Sequence, residues 1–462
     1  MKKKILPILA LLALHYCILI FASSCAQIGS PTGGPRDSLA PVLVKSEPAL
    51  NQVNFTGNKI SFSFNEYIEL QDLQANVLVS PLPKNNPTIS SNLKTVTVKF
   101  KDSLLPNTTY SIHFGDAIKD VNEGNILKDF AYTFSTGNAI DSLELNGSVR
   151  LAESGKTDST LSVMLYRDAP DSAVTKRKPD YMAKLSGRGT FRFSNLPPGN
   201  FKIYALKDGD GGKTYNAATE LFAFHDAEIN TAATNDSVLL YAYAEEKAAA
   251  TGTGTKKKTA EKKLRYANNL EGSRQDLLLP LEFTFNNPIK TFDTLKLVLT
   301  DTNYTPVKNT RITIDSTRKI LTVKADWVPE SYHYFLLQQD ALEDSSGNTP
   351  AKTDTIRFMT KSTMDYGTVT LRFRKIDLAR HPVLQYMKGE DVQYAYPLKG
   401  TEWSNKMFPP GEYEIRILYD DNNNGQWDPG NYREKRPPEK AITLPQRLSV
   451  RADWDNERDI EL

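Results

Sequence analysis

The sequence contains almost no cysteine, and none in the body of the chain. Its two cysteines, Cys17 and Cys25, both fall at the start of a chain of 462 residues. Everything after Cys25 therefore has no disulfide, no cysteine-based metal site and no thiol nucleophile. Burial of apolar side chains and backbone pairing have to hold the fold together.

The sequence also lacks an excess of charge and the usual catalytic patterns. A formal net charge of +2 gives no reason to expect nucleic acid as a partner. The five histidines are scattered, and there is no Gly-x-Ser-x-Gly, His-Glu-x-x-His or phosphate-binding loop. Because nothing gathers a nucleophile, a base and a stabilising group, the sequence predicts a protein that is not an enzyme.

The N-terminus has the order of a secretory signal peptide. Three lysines precede an apolar stretch, and the small residues Ser23 and Ser24 lead to Cys25. This order predicts a signal peptide over residues 1–24, with a signal-anchor helix as the alternative. The segment before Cys25 resembles the bacterial lipobox, although Ala22 stands where leucine is usual. The resemblance implies that Cys25 is the first mature residue and carries acyl chains such as palmitate.

Such an anchor would bind the protein to the membrane although no segment of the chain would span it. Each buried methylene contributes about 0.8 kcal/mol to membrane binding. Residues 25–40 are rich in Gly, Pro and Ser, which predicts a flexible tether. We expect an outer-membrane lipoprotein of the cell envelope. Some surface-exported lipoproteins of Bacteroidetes-like bacteria carry an acidic run after the acylated cysteine. No such run follows Cys25, and its absence favours the periplasmic face.

Residues 41–137, the first module, show short alternating strand patterns separated by turn residues. Ile60–Phe64, Val96–Phe100 and Tyr110–Phe114 alternate at a period of two, which predicts an antiparallel β-sandwich. Together with the turn and loop motifs at 105–110 and 118–125, they resemble the bacterial Ig-like domain of the S-layer type. The resemblance implies a spacer or adhesion module without catalytic residues.

Residues 141–243, the second module, contain a further set of strand patterns. The run from Gly189 to Phe201, Gly-x-Phe-x-Phe-x-x-Leu-Pro-Pro-Gly-x-Phe, resembles the prealbumin-like, carboxypeptidase-regulatory type of sandwich. Its two prolines fix φ, and Gly199 supplies the permissive turn position before a buried strand. The resemblance implies a stabilising or carbohydrate-associated accessory module.

The second half of the chain repeats the first. Leu281–Ile289 matches Ile60–Ile68, and Pro409–Gly411 matches Pro197–Gly199. Residues 267–362 are therefore predicted to be a divergent Ig-like third module, and residues 363–462 a prealbumin-like fourth module. The predicted fold class is all-β, with four tandem sandwiches arranged as extended modules joined end to end.

Residues 244–266 between the halves are rich in Lys, Ala and Thr. The stretch has almost no large apolar residue, which predicts a flexible linker. The alternative is contact of its lysines with anionic lipid or polysaccharide.

One loop of the fourth module has the spacing of a calcium site. Residues 420–428 read Asp-x-Asn-x-Asn-Gly-x-x-Asp, which places side-chain oxygens at positions one, three, five and nine of an EF-hand-type loop. The predicted ligands are Asp420, Asn422, Asn424, the Gln426 carbonyl and Asp428. Position twelve is Asn431 instead of glutamate, so a self-capped Asx-turn loop without metal is the alternative. No cofactor is required, and one structural Ca²⁺ is the candidate.

The corresponding loop of the second module carries Asp208 and Asp210 but lacks the central glycine and the second aspartate, and no ion is expected there.

Aromatic residues near the calcium-type loop offer a second candidate site. Trp403, Trp427 and Tyr432 could form a platform on which a glycan stacks, although packing in the core or in turns also accounts for them. The predicted function is a non-enzymatic envelope lipoprotein that acts as a spacer and interaction protein. The alternative is a protein that binds polysaccharide or cell-wall glycan, and an accessory subunit of an enzyme is the remaining possibility. The expected partner is an envelope protein or a glycan.

Overall fold

The computed structural model describes residues 36–233, 237–246 and 264–462. The predicted signal peptide, Cys25, most of the tether and most of the Lys-rich linker lie outside these residues. The chain divides into two units: the first ends at Ser142 and takes in Asn195–Pro197, and the second comprises Leu143–Ser194 and Pro198–Leu462. The prediction of an all-β fold is confirmed.

The first unit consists of three small antiparallel sheets. Their strand orders are β1-β2-β6-β5, β4-β7-β9 and β3-β8. The strands and the one short helix are β1 Leu43–Glu47, β2 Lys59–Phe64, β3 Ile68–Leu70, α1 Leu73–Asn76, β4 Leu78–Ser80, β5 Thr88–Asn92, β6 Thr95–Lys99, β7 Thr109–His113, β8 Ile118–Asp120 and β9 Ala131–Ser135.

The alternating phenylalanines of β2 face the core of the first unit. Phe62 is fully buried, and its ring centroid lies 5.0 Å from that of Tyr132 and 5.5 Å from that of Phe114, edge to face. On β2, the residues that alternate with Ile60, Phe62 and Phe64 are less buried, as expected for a strand with one face toward the core. The period-two pattern therefore assigned the inward face of this strand correctly.

The turn after β8 is organised around one buried carboxylate. Asp120 is 1% exposed, and it accepts hydrogen bonds from the backbone N–H groups of Glu123 (2.6 Å), Gly124 (2.9 Å) and Asn125 (2.8 Å). Burial alone would raise the pKa of Asp120, but the three N–H donors outweigh it and hold the pKa below its usual value.

We expect Asp120→Asn to lower the free energy of unfolding by about 1–3 kcal/mol, because an amide cannot accept all three N–H groups. A depressed folded pKa contributes stability above the unfolded value, about 3.9, and that stability is lost as the pH falls through the folded pKa. The substitution should therefore also flatten the pH dependence below about pH 4. Urea unfolding across this range measures both effects. Asp116→Asn, on an exposed position of the same region, is the control, and equal pH profiles for the two variants would contradict the prediction.

The second module begins the second unit and contains a three-stranded and a five-stranded sheet. The orders are β13-β10-β17 and β12-β11-β14-β15, with β16 pairing with β14 and with β10 and β17 parallel. The elements are β10 Leu143–Leu151, β11 Ser162–Arg167, α2 Ala173–Lys176, β12 Tyr181–Lys184, β13 Thr190–Leu196, β14 Asn200–Leu206, β15 Phe222–Phe224, β16 Ile229–Asn230 and β17 Val238–Ala242.

The third module repeats the topology of the first. Its sheets have the orders β18-β20-β24-β23, β19-β27-β25-β22 and β21-β26. The elements are β18 Tyr266–Asn268, β19 Arg274–Gln275, β20 Leu281–Phe285, β21 Ile289–Phe292, a 3₁₀ helix Thr294–Lys296, β22 Leu297–Thr300, β23 Arg311–Ile314, β24 Ile320–Lys324, β25 Tyr332–Leu337, β26 Leu342–Asp344, β27 Asp354–Thr360 and a 3₁₀ helix Thr363–Asp365.

The fourth module repeats the topology of the second. Its sheets have the orders β31-β28-β35 and β30-β29-β32-β33, with β34 pairing with β32 and with β28 and β35 parallel. The elements are β28 Gly367–Arg374, a 3₁₀ helix Leu378–Arg380, β29 Pro382–Lys388, β30 Asp391–Pro397, β31 Glu402–Phe408, β32 Gly411–Tyr419, β33 Lys440–Thr443, β34 Leu448–Val450 and β35 Asp455–Glu461.

The predicted repeat is therefore confirmed at the level of strand order. The two Pro-Pro-Gly turns show the match at single residues, since Gly199 has φ 158° and Gly411 has φ 154°. L-residues with a side chain rarely adopt these values, so glycine is required at both positions. The described part of the chain contains no helix with the length and apolar character that a bilayer crossing demands.

Candidate functional site

The calcium-type loop begins where β32 ends. Asp420 is 1% exposed, and its two carboxylate oxygens accept hydrogen bonds from the N–H groups of Asn424 (3.0 Å) and Gly425 (2.6 Å). Asn423 and Gly425 have φ values of 57° and 81°, which bend the chain around this carboxylate. The sequence Asp-x-Asn-x-Asn-Gly thus closes a tight loop around its first residue.

The other predicted ligands meet inside the same loop. The side-chain amides of Asn422 and Asn424 both donate to Asp428 Oδ2, at 2.5 Å and 2.6 Å. Their Oδ1 atoms accept the N–H groups of Asn424 (3.1 Å) and Gln426 (2.7 Å). Each of these oxygens retains a second lone pair. The hydrogen bonds are those of a self-capped Asx-turn loop, and occupation by calcium stays a prediction.

Sequence reasoning missed a further carboxylate at this loop. Glu439, directly before β33, is 7% exposed, and its Oε2 accepts the N–H of Asp428 at 3.0 Å. Its Oε1 is buried without a hydrogen-bond partner among the described residues. Burial raises the pKa of Glu439, the backbone N–H groups of Asp428 and Asn422 lower it, and the carboxylates of Asp420 and Asp428 raise it, with a net rise. Glu439 lies far beyond position twelve of the loop, so motif spacing could not identify it.

The neighbouring Asp421 has a separate role. Its carboxylate forms a two-pronged ion pair with Arg380, at 2.9 Å from Nε and 2.7 Å from Nη2. Asp420 and Asp421 therefore point to different partners although they are adjacent in sequence.

The predicted aromatic platform is not assembled, which corrects that interpretation. Trp403 packs on Tyr386 and Tyr396 in the main core of the fourth module. Trp427 is half-buried, packs against a small cluster that includes Leu418, and donates its indole N–H to the Glu439 carbonyl at 2.8 Å. Tyr432 is 6% exposed. The three rings belong to three different clusters because each one fills local space, and a glycan cannot stack on all of them.

Tyr432 instead inserts into the second module. Its ring centroid lies 5.1 Å from that of Phe222 and 5.3 Å from that of Phe224. Its hydroxyl donates to the Asp171 carbonyl at 2.8 Å and lies 3.1 Å from the Tyr204 hydroxyl, and its backbone N–H donates to Glu245 Oε1 at 3.0 Å. The ring thus completes the aromatic core of a module that precedes it by some two hundred residues.

A backbone seam runs beside this anchor. The outer edge of β33 meets the turn after β10, where the Ala441 N–H donates to the Ala152 carbonyl at 2.9 Å and the Thr443 hydroxyl donates to the Ser154 carbonyl. Gly155 has φ 68°, and a Cβ there would lie 2.8 Å from the Ala441 carbonyl oxygen.

A buried cation crosses the same seam. Arg416, on β32, is 7% exposed and donates to the Glu153 carbonyl (3.0 Å) and to Gln385 Oε1 (2.6 Å). Burial lowers the pKa of Arg416. Tyr432, the β33 edge and Arg416 together define what we call the docking seam. It corrects the expectation of modules joined only end to end, because the second and fourth modules pack on each other within the second unit.

Three cavities lie along the loop and the seam, and one of about 500 Å³ is lined by Glu153 and Arg416, among others. Another of about 730 Å³ is lined by residues that include Thr175, Tyr215, Asn216 and Arg433 of the second and fourth modules. The third, of about 400 Å³, lies beside the calcium-type loop and is lined by Asn422, Asp428 and Glu439, among others.

The matching loop of the second module also gathers carboxylates. Among the described residues, one oxygen each of Asp208, Asp210 and Glu220 lie within 4.8 Å of one another. Glu220 lies outside the loop motif, so the spacing does not predict its place in this cluster. Asp210 accepts the N–H of Gly212 at 2.7 Å and the side-chain amide of Asn216 at 2.7 Å, so these carboxylates also cap their own loop.

The two histidines that lie in strand patterns, His113 and His333, differ in burial. We expect both His113 and His333 to face solvent from their strand patterns. His113 is exposed, but His333 is buried against the rings of Trp327 and Phe358, which corrects the expectation for the third module. Burial lowers the pKa of His333. A ring in such a setting is a core residue.

Comparison with known proteins identifies the first module. Residues 37–136 match the family model of a bacterial Ig-like domain. No curated protein sequence matches the chain.

Several solved structures share similarity with this chain. It is similar to the N-terminal part of the bacterial S-layer protein SbsC (12% identity, 38% of this chain and 42% of that chain, TM-score 0.17). It is also similar to the Bacillus anthracis TIE protein (10% identity, 93% and 76%, TM-score 0.17) and to BcpA, the major pilin subunit of Bacillus cereus (10% identity, 70% and 99%, TM-score 0.17). The chain thus spans less than half the length of the SbsC fragment. With TM-scores this low, none of these similarities bears on function.

Proposed function

We propose that this chain is a non-enzymatic lipoprotein of the cell envelope, carried on the outer membrane by acylated Cys25, whose sandwich modules act as a spacer and present an interaction surface. The observation that carries the proposal is the match of residues 37–136 to a bacterial Ig-like domain. Modules of this kind keep their polar side chains in turns and their apolar side chains in a core, which suits them to holding a surface at a distance.

The docking seam supports a structural role for the second unit. Tyr432, Arg416 and the β33 edge are all committed to contacts between modules. A spacer benefits from such contacts, because two docked sandwiches bend less than two sandwiches joined by a single chain segment. Lipid attachment at Cys25 and the periplasm-facing orientation remain parts of the proposal.

A glycan-binding protein is the second candidate function, and the cavity of about 730 Å³ favours it. Its lining offers an aromatic ring, Tyr215, beside polar groups such as Asn216 and Arg433. Ligand pockets combine apolar walls with a few polar groups that fix orientation. A glycan would enter there, where Tyr432 is the one ring of the predicted platform that contributes to the lining.

Affinity capture from the native membranes tests the first candidate. The full-length chain should retain one or more envelope proteins, and Cys25→Ser should move the chain from the membrane to the soluble fraction. Membrane retention of Cys25→Ser would contradict the lipid anchor. Protease treatment of intact cells reports the orientation, since a periplasm-facing chain resists cleavage.

A glycan pull-down tests the second candidate. Binding of cell-wall or capsular glycan that is lost in Arg433→Ala would establish the cavity as the site, and the absence of any retained glycan would leave the spacer function as the better account.

A further inference from the structure

We propose that Asp420, Asn422, Asn424, the Gln426 carbonyl, Asp428 and Glu439 form a calcium site, and that the bound ion fixes the segment that docks the fourth module on the second. The five residues of the loop follow the ligand spacing of an EF-hand-type loop. Glu439 supplies the carboxylate that the spacing alone lacks.

The unpartnered oxygen of Glu439 is the independent observation. The residue is 7% exposed, and Oε1 is buried without a hydrogen-bond partner among the described residues. Its other oxygen is held at the loop by the N–H of Asp428, and the Trp427 indole N–H fixes its carbonyl. A buried carboxylate oxygen without a partner is costly, and coordination of a cation is one way to satisfy it.

The charges around the loop favour a divalent cation. Asp420, Asp428 and Glu439 place three carboxylates around this loop. The cations that line the adjacent cavity have other partners: Arg380 pairs with Asp421, Arg436 with Glu434, and Lys440 lies over the Tyr241 ring. Hard oxygen donors, with a central glycine at Gly425 that permits the sharp bend, suit Ca²⁺ better than a transition metal. In the structure the amide groups of Asn422 and Asn424 face Asp428, so ion binding would require these side chains to turn their oxygens inward.

The segment that docks the fourth module on the second runs from Asp428 to Glu439, and the proposed site includes the residues at both of its ends. Asp428 precedes Tyr432, Glu439 follows it, and their backbones pair through the Glu439 N–H and the Asp428 carbonyl at 3.1 Å. This pairing closes a loop whose tip carries Tyr432 into the second module. An ion that bridges Asp428 and Glu439 would fix the base of this loop and thereby favour the docked position.

Thermal unfolding of the full-length chain in CaCl₂ and in EGTA tests the proposal. We expect calcium to raise the unfolding midpoint of the wild type and of Asp210→Asn, which alters the acidic loop of the second module. Glu439→Gln should lose the calcium-dependent shift and bind calcium at least about tenfold more weakly by calorimetry. Since each variant is compared with itself in EGTA, a change in its basal stability does not affect the result.

Terbium luminescence sensitised by tryptophan provides a second readout. Trp427 is adjacent to Asp428, so bound Tb³⁺ should luminesce in the wild type and lose that emission in Trp427→Phe while still binding by calorimetry. If Glu439→Gln does not fold, Asp428→Asn takes its place. The proposal is overturned if the wild type shows no calcium-dependent shift, if the full shift persists in Glu439→Gln, or if the shift disappears in Asp210→Asn.

Discussion

Tyr432→Ala should lower the free energy of unfolding of the second unit by about 3–5 kcal/mol, the range for removal of a buried aromatic side chain. The ring is 6% exposed and packs edge to face on Phe222 and Phe224 of the second module. Its removal leaves a cavity in a core that neither module can close alone. Urea unfolding of the full-length chain, followed by intrinsic fluorescence, should show an earlier transition.

Tyr432→Phe is the matched control for this effect. It keeps the ring and removes only the hydroxyl, which donates to the Asp171 carbonyl and contacts the Tyr204 hydroxyl. The expected loss is about 0.5–1.5 kcal/mol. Equal stability of Tyr432→Ala and the wild type would mean that the ring does not occupy the second module in solution.

Gly155→Ala has the second large expected effect, about 2–4 kcal/mol. About 1 kcal/mol of this comes from placing a side chain at φ 68°. The remainder comes from overpacking, because the new Cβ would lie 2.8 Å from the Ala441 carbonyl oxygen and 3.2 Å from the Thr443 nitrogen. Both of these atoms belong to the fourth module, so the substitution acts on the seam.

Gly389→Ala separates strain from the close approach. Gly389 has φ 66°, almost the same as Gly155, and no atom lies within 4 Å of its added Cβ. It should therefore lose only the strain component in the same urea unfolding experiment. If Gly155→Ala and Gly389→Ala destabilise the chain equally, the β33 edge does not approach Gly155.

The sequence identified the features that repeat and the features that depend on local chain geometry. The alternation of Ile60–Phe64, the Pro-Pro-Gly turns and the pairing of strand patterns between the two halves all reappear in the structure. These signals are local, since a period of two determines which face of a strand is buried and a required φ determines where glycine must stand.

The docking seam could not be predicted in the same way. Tyr432 and Phe222 are separated by a whole module and the linker, and no spacing rule connects them. The sequence around Tyr432 does not distinguish an exposed ring from a ring buried in another module. The sequence alone therefore allowed the glycan-platform interpretation. Arg416 falls on the polar positions of β32 together with Glu412 and Glu414, so the alternation predicts exposure and gives no sign of its burial.

The candidate ion site was predicted in part. The five residues of the loop lie together as the motif requires, but Glu439 enters from the start of the next strand. A ligand supplied from outside a continuous motif depends on how the chain returns, which the motif does not encode. The expectation that His333 faces solvent was wrong because this residue shares the buried face of β25 with Phe335 and Leu337 and packs against Trp327.

Hydrogen exchange of single amides tests most directly whether the second and fourth modules are docked. The Ala441 N–H donates to the Ala152 carbonyl of the second module, and the Tyr432 N–H donates to Oε1 of Glu245, two residues beyond the end of that module. In the full-length wild-type chain, both amides should exchange far more slowly than unstructured amides, and Gly155→Ala should speed both while leaving the pairing of β29 with β32 protected. Exchange of both amides at the unstructured rate in the wild type, with β29 and β32 still protected, would contradict the docked arrangement.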